Sequence, residues 1–343
     1  MRDSVLFLFS TRIRKNFFLG FLTRLANASL QTEKARGTIS KKFLLLGRSD
    51  ENKNKTLSLL SDYIALTKPG ILTASLYTTL VGYLLASPVG AQITSNDFWI
   101  LLHTLLGTAL VAMGAGSLNM LIETEIDSRM DRTKNRPLPQ NRVSPVGAFF
   151  LGALTSSLGI VHLCSAVNLA AGFLASLTLV LYLVFYTPLK EKSYFSLIVG
   201  AASGALPPLI GWAAKSGFPL GAGWSLFLIL FLWQFPHFLS LSWIYRKDYK
   251  QANLKVVLQE DESGHQTARW ALLTSLAVST ASILPYALGL GGIFYLLSAL
   301  TLGIIFTGTS FFFLKKRTLS SAKILFFTSI AYLPLLFLLL VLF

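Results

Sequence analysis

The sequence predicts an all-α integral membrane protein with nine transmembrane helices. Of its 343 residues, 53% are hydrophobic and only 13% are charged, and the mean hydropathy is +0.60. A soluble core of this length needs much less apolar surface, so lipid is the expected solvent of most of the chain. Apolar runs of about 20 residues, the length that crosses a hydrocarbon core, occur nine times.

The nine runs are separated by short connections that hold most of the charged residues. They cover residues 71–86, 98–118, 145–163, 169–186, 195–213, 224–243, 268–288, 293–314 and 322–343. In lipid every backbone polar group needs a partner within the protein, and runs of this length satisfy that need as α-helices. We therefore predict a transmembrane domain over residues 57–343.

Residues 1–56 differ in composition from the rest of the chain. They hold twelve Lys and Arg and four Asp and Glu, and none of their apolar patches reaches spanning length. Both a basic tail that lies on anionic lipid and an amphipathic mitochondrial presequence have such a composition. Because Asp3 and Glu33 interrupt the acid-poor pattern of a presequence, we favour a basic N-terminal cytoplasmic tail.

The basic residues alternate between the two sides of the predicted bundle. Of the 30 Lys and Arg, only Lys215 falls in a connection assigned to the external side. Positive residues accumulate in cytoplasmic loops, so the N-terminus is predicted inside and the C-terminus outside. The bacterial cell inner membrane is the expected location, and the mitochondrial inner membrane is the alternative. The net charge of +15 forms no basic stripe on a soluble domain, which argues against nucleic acid as a partner.

The densest polar stretch, LNMLIETEIDSRMDRTKNRPLP, follows the second apolar run. Its residues Asn119, Glu123 and Asp127 are spaced four apart, so on a helix they line one face. Stacked carboxylates repel one another unless they share a cation, and Mg²⁺ binds few carboxylates and completes its shell with water and phosphate oxygens. The basic residues that follow suit a phosphate group. We therefore predict a magnesium and diphosphate site here.

A second polar group occupies the matching place after the sixth run, in LFLWQFPHFLSLSWIYRKDYKQANLK. Its His237 is predicted to point into the bundle, because lipid offers no partner for the ring nitrogens. Asp248 lies about three helical turns further on and shares that face. His103 and His162 lie in or at the ends of apolar runs, and we expect ordinary core histidines there. His265 is expected to be solvated.

These two stretches, together with YIALTKPG (63–70), FYTPLKEK (185–192) and GAASGALPPLIGWAA (200–214), resemble the UbiA superfamily of intramembrane prenyltransferases. The resemblance covers residues 62–343. It implies nine helices around a lipid-open cavity, with Mg²⁺ held on the diphosphate of a prenyl donor. It assigns Asn119, Glu123 and Asp127 to the metal and to catalysis, Asp248 to catalysis, and Arg132, Lys134, Arg136, Lys190 and Lys68 to the diphosphate. The sequence departs from the superfamily at Ile244, where many relatives have a second carboxylate, and at residues 254–258.

Within the superfamily, the WQFPHF stretch resembles the members that farnesylate haem. The implied reaction transfers the farnesyl group of farnesyl diphosphate to a vinyl group of haem B and gives haem O and diphosphate, for the haems of terminal oxidases. The implied haem contacts are His237, Gln234, Trp233 and Tyr245. Haem A synthase is the implied downstream partner, and membrane lipid surrounds the protein. The alternatives are a relative that prenylates an aromatic acceptor and a transporter, which would place its charges near mid-span.

Overall fold

The computed structural model describes residues 49–87, 94–218, 221–255 and 261–343, and these residues form helices and connections without strands. The α-helices are α1 (Ser49–Leu66), α2 (Pro69–Leu85), α3 (Ser95–Ile122), α4 (Thr124–Ser128), α5 (Pro145–Ala166), α6 (Leu169–Val180), α7 (Thr187–Leu189), α8 (Phe195–Gly204), α9 (Pro207–Ser216), α10 (Gly223–Ile244), α11 (Arg246–Gln251), α12 (His265–Ala281), α13 (Leu284–Ala287), α14 (Ile293–Lys316) and α15 (Leu319–Leu342). A π-helical turn, Leu181–Tyr186, joins α6 to α7. Most of the predicted basic tail lies outside the described residues, and α1 begins at Ser49.

The all-α membrane class is confirmed, with a change in the helix count. Among the described residues, eight helical segments are long and apolar enough to cross a membrane. The first predicted span forms α2, an apolar helix of only 17 residues, which rises about 25 Å against a hydrocarbon core of about 30 Å. The predicted count of nine is therefore one too many by this length criterion.

The helices of the first half of the bundle approach one another through glycine. A Cβ atom added at Gly114 of α3 would lie 2.0 Å from the Ser156 Oγ of α5. One added at Gly211 of α9 would lie 1.9 Å from the Thr79 carbonyl oxygen of α2. Small residues let membrane helices come close enough for backbone contact. We call this set the glycine seam; it comprises Gly82, Gly107, Gly114, Gly152, Gly159 and Gly211.

The second half, formed by α10, α12, α14 and α15, packs through large side chains instead. Tyr295, Phe306, Phe313, Tyr332 and Phe337 are among its fully buried residues. The Tyr295 hydroxyl donates a 2.7 Å hydrogen bond to the Ser282 carbonyl oxygen, which satisfies its polar end. The core of this half is therefore aromatic and side-chain filled.

Two polar pairs lie away from the charged loops. His103 Nδ1 of α3 lies 3.2 Å from His162 Nε2 of α5, so each histidine is a polar partner of the other. Their separation of 59 residues gives no sequence signal of the contact. Lys215 forms an ion pair with Asp97 at the N-terminal end of α3, so the one basic residue predicted on the external side has its charge compensated.

Candidate active site

The three residues predicted to bind a metal lie in a row where α3 ends. Asn119 is in the last turn of α3, Glu123 lies between α3 and α4, and Asp127 is in α4. The predicted continuous helix is interrupted at Glu123, whose φ is −88° and ψ is 7°. The row survives because the Glu123 N–H donates to the Asn119 carbonyl at 2.9 Å and the Asp127 N–H donates to the Glu123 carbonyl at 2.8 Å. All three residues are buried, with exposures of 0%, 5% and 1%.

Each residue of this row contacts a basic side chain from a different segment. Arg136 Nη1 lies 2.6 Å from Asp127 Oδ2, and Lys190 Nζ lies 2.6 Å from Glu123 Oε1. The Lys68 ammonium donates to Asn119 Oδ1, from a backbone in the left-handed region with φ 51°. Strained backbone of this kind clusters at functional sites. We call these six residues the charged cluster.

Burial and charge oppose one another within the charged cluster. Burial, together with repulsion from Arg136 and Lys190, lowers the pKa of Lys68 to about 8. Burial also acts to raise the pKa of Glu123, but attraction by Lys190 and Lys68 more than offsets it and the pKa is lowered. Burial raises the pKa of Asp127 despite its contact with Arg136. With both carboxylates ionised, three cations face two anions, so the cluster favours an added anion such as a diphosphate.

The donor set fits a divalent cation of the magnesium type. Asp127 Oδ1 is buried and has no hydrogen-bond partner, which leaves a carboxylate oxygen free for a cation. Among the described residues no group of three or more His, Cys, Asp or Glu side chains is placed to hold a metal. A cation here would therefore be held by Glu123, Asp127 and the Asn119 amide, with water and phosphate oxygens completing its shell, as Mg²⁺ prefers.

The second motif meets the first at the same end of the bundle. Asp248 Oδ2 accepts a 3.3 Å hydrogen bond from the Arg132 backbone N–H, and the Arg132 guanidinium lies 5.2 Å from the centre of the Tyr245 ring. The Lys255 N–H donates to the Lys190 carbonyl at 2.8 Å. A small apolar cluster lies between the two motifs; its members are Ile126, Met130, Tyr249, Ala252 and Leu254. The two motifs therefore form one site.

The five residues predicted to bind diphosphate fall into two groups. Lys68, Arg136 and Lys190 belong to the charged cluster, whereas Arg132 and Lys134 are exposed. The Lys134 side chain, 51% exposed, pairs with Asp131 at 2.6 Å, and this hydrogen bond raises its pKa. Lys134 thus has a local partner outside the cluster.

His237 points into the bundle, as predicted. Its ring stacks between Trp233 and Phe326, with centroid distances of 4.7 and 4.9 Å. Its Nδ1 lies 2.8 Å from the Ser329 Oγ of α15. The Trp233 Nε1–H donates to the Ser329 carbonyl at 2.8 Å. The histidine is therefore held against α15 rather than exposed to lipid.

Gln234, a predicted haem contact, has its side-chain amide nitrogen hydrogen-bonded within the bundle. Its Nε2 donates to the Ala201 carbonyl at 2.9 Å and to the Leu230 carbonyl at 3.3 Å. Its Oε1 packs so closely against Gly204 that a Cβ there would lie 2.5 Å away. The amide is thus committed to joining α10 and α8, because a buried polar group needs such partners.

Sequence reasoning missed several neighbours of the site. Thr187 is buried and accepts a hydrogen bond from the Asn119 side chain. Tyr186 places its ring 4.8 Å from the Lys190 ammonium. Both lie in FYTPLKEK, but only the lysine was singled out, because charge is the signal that a sequence shows most clearly. Ser329 is an uncharged residue beside Thr328 in an otherwise apolar run and carries no such signal.

This is a helical membrane protein whose buried acidic and basic residues lie together at one end of the bundle. Such an arrangement suits an intramembrane enzyme that acts on a prenyl diphosphate. The model of the UbiA prenyltransferase family matches residues 75–338. A protoheme IX farnesyltransferase of Solibacter usitatus is 40% identical over 282 residues, which are 81% of this chain and 97% of that protein. The chain belongs to the UbiA prenyltransferase family.

Solved structures support the fold. A digeranylgeranylglyceryl phosphate synthase has a TM-score of 0.67 and 20% identity, with 83% of this chain and 99% of that chain covered. A UbiA homologue of Archaeoglobus fulgidus, bound to GPP and Mg²⁺, has a TM-score of 0.57 and 14% identity, with 82% and 100% covered. At these identities the likeness establishes the UbiA fold of this chain.

Proposed function

We propose that this protein transfers the farnesyl group of farnesyl diphosphate to a vinyl group of haem B and releases diphosphate, giving haem O. The charged cluster supports farnesyl diphosphate as the substrate that donates the prenyl group. It offers excess positive charge for the diphosphate and, at the same buried place, a carboxylate oxygen without a hydrogen-bond partner. The similarity to the Solibacter protein over most of both chains supports haem B as the acceptor of that group.

The proposed chemistry begins at the charged cluster. Lys68, Arg136 and Lys190 bind the diphosphate and stabilise the negative charge that it gains when the farnesyl C1–O bond breaks, with the bonding electrons leaving on oxygen. A Mg²⁺ ion bound by Asn119, Glu123 and Asp127 would supply further positive charge there. The vinyl group attacks the allylic carbon, and water adds to the resulting haem cation with loss of a proton. Aromatic faces such as Trp233 and Tyr245 suit cationic intermediates.

His237 is the proposed haem contact, and its hydrogen bonds define its tautomer. The single Ser329 hydroxyl hydrogen is donated to the Phe326 carbonyl at 2.6 Å. The Ser329 oxygen must therefore accept a hydrogen bond from His237 Nδ1–H. This leaves Nε2 with a lone pair, and among the described residues no hydrogen bond to it is found. We propose that Nε2 faces the cavity shared with Asp127 and binds the haem iron.

The reaction is tested directly with the purified full chain in lipid nanodiscs. Incubation with farnesyl diphosphate, haem B and Mg²⁺ should give a haem with the mass of haem O, and EDTA should abolish its formation. Full activity in EDTA would contradict the metal role of Glu123 and Asp127. Prenylation of a quinone precursor instead of haem would contradict the proposed acceptor and favour the alternative family activity.

We further propose that the charged cluster faces the cytoplasm of a bacterial cell, across the inner membrane, and that residues 1–56 form a basic tail on the same side. The distribution of Lys and Arg supports this orientation. Haem O remains in the bilayer, from which haem A synthase would take it. A cysteine placed at Lys134, in a Cys164→Ser background, should react with an impermeant maleimide only after spheroplasts are opened. Labelling in intact spheroplasts would contradict the proposed orientation.

A further inference from the structure

The π-helical turn Leu181–Tyr186 is followed by two residues, Thr187 and Lys190, whose side chains lie opposite the row of Asn119 and Glu123. The Thr187 side chain contacts Asn119, and the Lys190 side chain contacts Glu123. Two residues that are three positions apart after the turn therefore contact two residues that are four positions apart at the end of α3. A π-helical turn adds a residue to the helix and so rotates everything that follows it. The turn therefore determines which side chains face the row.

The Thr187 hydroxyl makes two hydrogen bonds with different roles. The hydroxyl hydrogen is donated to the Tyr182 carbonyl, with an oxygen–oxygen distance of 2.7 Å. The same carbonyl accepts a hydrogen bond from the Thr187 backbone N–H. Because the hydroxyl hydrogen is used there, the oxygen acts only as an acceptor toward its other neighbour. That neighbour is Asn119 Nδ2, at 2.9 Å.

An asparagine amide has a donor end and an acceptor end of nearly the same shape, so its direction depends on its partners. Thr187 accepts from the NH₂ end, which leaves Asn119 Oδ1 facing the Lys68 ammonium. The reversed amide would place two hydrogens toward that ammonium and toward any bound cation. Since Thr187 is buried with an exposure of 1%, water does not replace it readily.

We propose that Thr187 is a positioning residue that orients the Asn119 amide so that its oxygen faces the Lys68 ammonium and the bound metal ion. This inference rests on the metal role of Asn119 in the proposed function. Neighbours that orient a metal ligand typically contribute about 10-fold to 100-fold in metal affinity. Thr187→Val keeps the shape of the side chain and removes the acceptor, whereas Thr187→Ser keeps the acceptor.

The probe is Mn²⁺ with inorganic diphosphate, and free Mn²⁺ is measured by electron paramagnetic resonance on the full chain in nanodiscs. Thr187→Val should weaken Mn²⁺ binding by about 10-fold or more, and Thr187→Ser should retain it. The matched control is Thr178→Val in the same span, where the hydroxyl donates only to the Leu174 carbonyl; it should bind as the wild type does.

A double substitution separates orientation from general structural damage. A carboxylate has two equivalent oxygens, so in an Asn119→Asp background Thr187→Val should change Mn²⁺ affinity by less than about 2-fold. An equal loss in both backgrounds, or wild-type affinity of Thr187→Val itself, would overturn the proposal. If wild-type protein binds Mn²⁺ in this way but makes no haem O, the proposed acceptor fails while the role of Thr187 stands.

Discussion

Asp127→Asn should reduce farnesyl transfer by about 100-fold to 1000-fold, the usual effect of removing one group that stabilises charge in a transition state. Asp127 supplies the buried carboxylate oxygen that has no hydrogen-bond partner, and its other oxygen orients Arg136 at 2.6 Å. The amide keeps the shape but loses the charge that attracts a cation. Insertion should survive, because the Arg136 side chain is 26% exposed and water can solvate it. Turnover is measured as haem O formed per minute at saturating substrates.

The matched control for this substitution is Asp131→Asn, four residues further on. Asp131 is 68% exposed and pairs with the exposed Lys134, and such surface pairs contribute little. Its turnover should stay within about 2-fold of the wild type. If Asp127→Asn had wild-type turnover, with both proteins inserted equally, the bond to the diphosphate would not be broken at the charged cluster.

His237→Ala should remove the spectral signature of a histidine-bound haem iron when haem B is added to the protein. The variant loses the only Nε2 lone pair that α10 offers toward the proposed haem site. Ser329→Ala keeps the histidine but loses the acceptor for Nδ1–H, so haem affinity should fall by about 10-fold to 100-fold, as for other neighbours of a metal ligand. The Soret band and its titration with haem B measure both effects.

A second histidine provides the control. His265→Ala changes an exposed residue at the start of α12 and should leave the Soret titration unchanged. Both His237→Ala and Ser329→Ala should still bind Mn²⁺ and diphosphate, because neither residue contacts the charged cluster. An unchanged haem spectrum in His237→Ala would remove this histidine from haem recognition.

The sequence was sufficient to predict the fold class and which segments carry charge, because lipid restricts the length of spanning helices and makes charge within them costly. The pairing of distant residues was not predictable in this way. Lys190 and Glu123 are separated by 67 residues, and their contact depends on how α3 packs against the π-helical turn. Nothing in LYLVFY indicates a π-helical turn, since its residues are typical of any membrane helix.

Individual polar residues were harder still to interpret. Gln234 and His237 lie three residues apart in one apolar helix, and the resemblance of the WQFPHF stretch implied a haem contact for both. Their neighbours differ, because α8 offers the Ala201 carbonyl to Gln234 whereas α15 offers the Ser329 hydroxyl to His237. Such differences depend on tertiary packing that one sequence does not reveal.

The glycine seam also implies that mechanical stiffness is unevenly distributed in the molecule. At Gly211 the backbone of α9 lies against the Thr79 carbonyl oxygen, and at Gly114 the backbone of α3 lies against the small Ser156 side chain, so little side-chain volume separates these helices. Around α10 and α15 the packing relies on large side chains, among them Phe231, Tyr332 and Phe337. The row of Asn119, Glu123 and Asp127 therefore extends from the half that packs through glycine, whereas His237 lies in the half that packs through large side chains. We therefore expect the half around α10 and α15 to adjust to an acceptor more readily than the half that carries Asn119, Glu123 and Asp127.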